Sequence, residues 1–290
     1  MFNKHMISQI LTALLIVESV DATHHAMKAN IWEAQCELAT QLRKTPGQVK
    51  NKLGSLIEFL KTINMIKLQL QVYAAANSRS EYKDAAAVLA AHAEKLRVEA
   101  LSGADSTIDT AVRATAITAD LAAALAAPIM TIASACGSSN YYLNSKAGSG
   151  AANNGRNEIG PVGCRELELD TLENTNGMDA EAINGEGFPK HPAVSGTDRQ
   201  GQASQCGTLT STANPTNAAG IKIAGGADIF KMGYGTISVV ADDQPNTPDL
   251  TNLKQAGSYG TVNIFKRAHK VSLELRQIRQ PKKRKKEKIY

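Results

Sequence analysis

From His24 to Ala76 the chain reads as one long amphipathic helical run, and nothing else in the sequence restricts the possible folds so tightly. In its second half Leu53, Leu56, Ile57, Leu60, Ile63, Ile66, Leu70 and Tyr73 recur at steps of 3, 1, 3, 3, 3, 4 and 3. That spacing places one apolar stripe on one face of a helix. The first half carries Ile31, Trp32, Cys36, Ala39 and Leu42 at helical spacing, Trp32 being the only tryptophan. Between the halves, Thr45-Pro46-Gly47 predicts a kink or brief break, with Thr45 as a cap and Pro46 in a first helical turn. At 1.5 Å per residue, about 50 residues make about 80 Å of helix, which needs an equally long partner.

The partner follows at once. Asn77-Ser78-Arg79-Ser80 is a turn, and Tyr82, Ala86, Leu89, Ala93, Leu96 and Ala100 then recur at steps of 4, 3, 4, 3 and 4. This heptad-like stripe weakens at Ser102-Gly103 and resumes through Ile108, Val112, Ile117, Leu121 and Leu125, ending near Pro128 to Ala135. A short turn between two long helices makes them antiparallel neighbours. Residues 23–135 therefore read as an elongated helical hairpin, its abundant alanine letting the backbones approach closely.

At Cys136 the composition changes. Residues 136–265 are rich in Gly, Asn, Ser, Thr and Ala, with a short helix-like run at Cys164 to Leu172. Strand-like pieces lie at Ile221 to Ile223, Thr236 to Val240 and Gly257 to Phe265. The expected fold class is mainly α: an elongated antiparallel helical hairpin, coiled-coil in character, with a disulfide-linked, loop-rich lobe and a few short strands. The net charge of +5 hides an asymmetry. Lys266 to Tyr290 holds 11 Lys and Arg against 2 Asp and Glu, a net of +9, which leaves the other 265 residues at −4. Lys266 to Gln280 has helical potential ended by Pro281, but residues 266–290 as a whole read as a disordered basic tail.

Residues 1–22 read as a secretory signal peptide: Lys4 at the start, an apolar core from Met6 to Val17, and Val20-Asp21-Ala22 before a mature Thr23. The alternative is a buried N-terminal helix. Four cysteines behind such a signal suggest two disulfides, with three connectivities open. Their gaps of 100, 28 and 42 residues do not suit a metal site. Aromatics are only 4%, a poor supply for a ligand cleft. No H-E-x-x-H, Walker loop or G-x-S-x-G occurs. Gly225-Gly226 and Gly233-Tyr234-Gly235 read as turns, Asp242-Asp243 as a solvated turn, and His92 as a satisfied interface residue. The expectation is no enzyme and no cofactor.

Taken in order, the signal peptide, Lys28-Ala-Asn-Ile-Trp32-Glu-Ala-Gln-Cys36-Glu-Leu-Ala-Thr-Gln-Leu42, Pro46-Gly47, the long hairpin and Ala133-Ser-Ala-Cys136 resemble a trypanosome variant surface glycoprotein of the A-type. The resemblance covers residues 1 to about 265 and lies in the order and spacing of the set. It implies an N-terminal domain over 23–265 and the pairings Cys36–Cys164 and Cys136–Cys206. It also implies a homodimer built on the hairpins at the outer face of the plasma membrane. There the protein would be a coat recognised by host antibodies, acting in antigenic variation and immune evasion. The alternative on the same scaffold is a ligand-binding surface receptor.

Two features depart from the family. No N-x-[ST] sequon occurs, Asn214-Pro215-Thr216 being excluded by its proline. The last residues do not form a lipid-anchor signal, so the expectation is a reading frame disrupted after about Phe265 and a product secreted or retained. Nucleic-acid binding would rest on Lys282 to Lys288 alone, and the signal peptide argues against it.

Overall fold

The computed structural model describes residues 25–77, 79–134, 141–145, 155–165, 175–194, 200–203, 209–210, 221–222, 230–240, 244–254 and 263–278. The signal-peptide reading, Cys136, Cys206, Gly225-Gly226, Asp242-Asp243 and the run Lys282 to Lys288 lie outside the described residues.

The mainly α class and the hairpin expected from the sequence are found. After strand β1 (His25–Met27), the first long run is divided into α1 (Ala29–Leu42) and α2 (Thr45–Ala76). Pro46 sits in the first turn of α2, where a missing N–H is tolerated. Thr45 does not cap it. Thr45 is the first helical residue and is buried, Lys44 holds the cap position, and no side chain makes the capping bond. The return arm is likewise divided at Gly103, into α3 (Lys83–Ser102) and α4 (Ala104–Ser134). At 32 residues, α2 is about 48 Å long.

The two arms differ in what covers them. The α2–α3 pair meets along Ile63, Ala86, Ala90 and Ala93, the only buried apolar side chains among the described residues over most of its length. The seam on α3 is therefore its alanines, while Leu89 from the sequence stripe is 54% exposed. By contrast α4 buries a continuous stripe of Ala114, Ile117, Leu121, Leu125, Ile129 and Ile132, at steps of 3 and 4. It does so between α1 and a C-terminal helix, α6 (Asn263–Gln277).

That helix corrects the expected tail. Its Phe265, Ala268, Val271 and Leu275 are at most 1% exposed and belong to the main core. Arg276 donates to the carbonyls of Met178, Asp179 and Ile183, and Lys52 Nζ donates to Ile278 O at 2.6 Å. Basic residues such as Arg267 and Lys270 occupy the exposed face, so the tail's net charge concealed an amphipathic helix. Asn263 to Phe265 open this helix and do not end a strand.

The lobe between α4 and α6 contains a short helix, α5 (Ile159–Val162), and small sheets. Strand β2 (Gln200–Ala203) pairs antiparallel with β1, Met27 opposite Gln200. Strands β3 (Leu209–Thr210) and β4 (Ile221–Lys222) pair in parallel. Strands β5 (Phe230–Met232), β6 (Ile237–Val240) and β7 (Gln244–Asn246) form an antiparallel meander, Met232 opposite Ile237 and Ser238 opposite Asn246. Gly233, Tyr234 and Gly235 join β5 to β6 as a turn with φ of +59°, +57° and +89°. The Tyr234 hydroxyl donates to Asp120 on α4, and that bond raises its pKa.

Candidate functional site

Two parts of the molecule stand out from the surrounding scaffold: the junction that ties α1 to the lobe, and the exposed ridge of the hairpin. At the junction, Cys36 on α1 is joined to Cys164, just after α5, with Cα atoms 4.9 Å apart and a sequence separation of 128. In the chain-entropy picture a loop of that length makes the bridge worth roughly 5 kcal/mol, less any strain. Both cysteines are buried beside Trp32, which is fully buried and donates its Nε1–H to Asn144 O at 2.9 Å. Gly163 adopts φ +113°, and a Cβ there would collide with Thr40 Oγ1. Thr40 Oγ1 lies within hydrogen-bonding distance of Cys36 O and Val162 O, while Arg43 Nη1 donates to Gly163 O at 2.8 Å. Burial, and then the nearby Arg165, lower the Arg43 pKa. The Cys136–Cys206 pairing falls outside the described residues.

On the hairpin, Ile57, Met65, Leu68 and Val72 are 51%, 60%, 51% and 67% exposed. They lie across α2 from Ile63, at helical spacing. Val88, Leu89, Val98 and Leu101 on α3 are exposed as well. Between the arms, Glu94 accepts bonds from Arg97 at 2.6 and 2.9 Å and from Lys67 at 2.8 Å. Those two partners, Arg97 first, hold its pKa down to about 2. His92 is exposed on α3 and not enclosed within an intrachain contact. Among the described residues no His, Cys, Asp and Glu side chains assemble into a metal-binding group.

The junction was partly foreshadowed by Cys36, Trp32 and the later cysteines. Thr40, Arg43 and Gly163 carried no sequence signal, because their roles depend on contacts made between segments more than 100 residues apart.

A stiff helical hairpin pinned by a disulfide to a loop-rich lobe defines a protein organised around its outer surfaces. The chain matches the family model of the trypanosome variant surface glycoprotein (A-type) over residues 9–287, and it belongs to that family. The match continues past Phe265, so the likeness does not end where the sequence alone placed its limit. Variant surface glycoprotein ILTAT 1.24 of Trypanosoma brucei brucei is 33% identical over 279 residues, covering 93% of this chain and 52% of that protein. Variant surface glycoprotein MITAT 1.4A of the same organism is 28% identical over 245 residues, covering 84% and 46%. The chain thus spans about half the length of these curated relatives. A solved structure of MITat 1.1 superposes with a TM-score of 0.65 at 16% identity, covering 87% of this chain and 69% of that one, a likeness of fold.

Proposed function

We propose that this chain forms the N-terminal domain, residues 23–265 extended through α6, of a surface coat glycoprotein. It acts in antigenic variation and evasion of the host immune response, without catalysis. It passes through the secretory pathway to the outer face of the plasma membrane, where host antibodies recognise it. Support comes from family membership and from one structural observation: the exposed apolar ridge of Ile57, Met65, Leu68 and Val72 along α2, the long arm of the hairpin. A ridge of this kind is poorly suited to water and well suited to a second helical hairpin. The assembled form is a homodimer through the hairpin, with pairings Cys36–Cys164 and Cys136–Cys206. Nothing in the fold or the relatives favours the alternative of a ligand-binding surface receptor.

Sedimentation of the purified chain at micromolar concentration tests the assembly, and a compact monomer would refute it. For the coat role, cells displaying this variant should bind antibodies raised against it. They should lose that binding when another variant replaces it. Persistent binding after replacement would count against antigenic variation.

A further inference from the structure

Segments 183–194 and 247–253 form a paired clasp laid over the helical core. Phe188 N donates to Leu250 O at 2.9 Å, Leu250 N to His191 O at 2.8 Å and Leu253 N to Glu186 O at 2.9 Å, and Val194 bridges Thr247. These bonds run between the two segments, so the pair can lift away without breaking the backbone ladder of any helix. The segments approach so closely at Gly187 that a Cβ there would collide with the carbonyl oxygens of Leu250 and Thr251.

The clasp is fastened to the core at a small number of places. Ile183, Phe188, Leu250 and Leu253 are buried in the main hydrophobic cluster. From α6, His269 donates its Nε2–H to Asn184 O at 2.8 Å, and Arg276 Nη1 donates to Ile183 O at 3.1 Å. Phe188 lies between two histidine rings, His191 of the clasp and His269 of α6, with centroid separations of 6.5 and 5.9 Å. Both histidines are buried, at 6% and 7% exposed.

We propose that the clasp is released by acid: protonation of His191 opens segments 183–194 and 247–253 together while α1, α4 and α6 stay folded. Release would bare Ile183, Phe188 and Leu250, which are at most 1% exposed when it is closed. The Cys36–Cys164 bridge lies outside the clasp, so the rest of the lobe stays tied to α1.

The neutral ring fits its site and the imidazolium does not, because a charge there would be buried beside Phe188. The charged groups facing His191 are Glu37 on α1 and Asp179, Glu181 and Lys190 of the lobe, which line the cavity next to it. Asp179 is held by Gln41 and Lys44, Glu181 pairs with Lys190, and Glu37 and Glu181 stand in solvent. On the α6 side, His269 lies across Phe188, in a wall that also holds Lys254, Lys266, Lys270 and Glu274. None of these groups offsets the burial of the His191 ring, which pushes its pKa down to about 4. Opening returns the ring to water, where it takes up a proton near pH 6.5, so the open form gains as pH falls from about 6.5 toward 4.

Amide hydrogen exchange of the whole chain, corrected for intrinsic rates and followed at low urea concentrations, tests the proposal. From pH 7 to pH 5 the amides of Phe188, Leu250 and Leu253 should lose protection at least tenfold, with little dependence on urea. The amides of Leu121 and Leu125 in α4 should exchange with the steep urea dependence of global unfolding. His191→Gln should remove the pH dependence at the clasp. Gly187→Ala separates the two segments without touching a titratable group and tests the clasp independently of His191. It should lower protection at the same three amides at least tenfold at pH 7, again with little urea dependence. Clasp protection unchanged between pH 7 and pH 5 would overturn the proposal. So would a pH dependence that survives His191→Gln, or one steep urea dependence shared by the clasp and α4.

Discussion

Gly163 shows how much of this fold rests on single residues. Its φ of +113° is open to glycine and strained for any other residue, and a Cβ would strike both Thr40 Oγ1 and Cys36 O, the latter at 2.9 Å. Gly163→Ala should destabilise the chain by about 2–4 kcal/mol, read as a lower urea midpoint. Trimming Thr40 should not rescue it, because the Cys36 carbonyl and the backbone strain remain. In the sequence this turn was marked only by the neighbouring Cys164; the need for glycine beside that cysteine arises from packing against α1. His191 makes a second prediction at this scale. Burial lowers its folded pKa from 6.5 to about 4, so the unfolded chain binds the extra proton between those values. Its contribution is complete above about pH 6.5 and is lost as pH falls toward 4, by about 3 kcal/mol in all. Denaturant titrations should show this loss, and His191→Gln should flatten it. Glu94, held near 2, loses its contribution only below about pH 4.5, so its window lies mostly below that of His191.

Among the elements, α6 is the one whose importance the sequence most understated. Averaged over residues 266–290 the chain is strongly basic, and that average suggested a solvated tail. Read by position, Phe265, Ala268, Val271, Ser272 and Leu275 share one face and are buried, so the helix belongs to the core. Leu275→Ala should cost about 2–5 kcal/mol, because the side chain is fully buried and its neighbours are fixed by α4. Arg276→Ala should cost less, about 1–2 kcal/mol, since water can reach the carbonyls of Met178 and Asp179 that the guanidinium leaves. Chemical unfolding of both variants checks the order; equal midpoints for wild type and Leu275→Ala would mean that α6 is not part of the cooperative unit. The hairpin itself was legible because long helices repeat their pattern many times. The seam within it was less so. Periodicity shows that α3 has an apolar stripe, but only the close approach of α2 selects Ala86, Ala90 and Ala93 over Leu89.

Across the whole molecule, the covered and uncovered apolar surfaces are spatially divided. Where α1, α4 and α6 meet, leucines, isoleucines and phenylalanines are buried, whereas along α2 and α3 most bulky residues are half-buried or exposed and the buried ones are mostly alanine. This division gives a discriminating experiment. Ile63 is 9% exposed and packs within the chain, so Ile63→Asp should bury an unpaired charge and unfold the hairpin. Leu68 is 51% exposed in the single chain, so Leu68→Asp should leave the monomer's helicity and urea midpoint nearly unchanged. If the ridge is the dimer seam, the same substitution places two like charges in an apolar interface and should weaken dimerisation at least 100-fold, about 3 kcal/mol. Circular dichroism with sedimentation on the two variants separates the effects. A Leu68→Asp chain that remains as tightly dimeric as wild type would move the interface off this ridge, and one that unfolds like Ile63→Asp would mean that the ridge is covered within the chain.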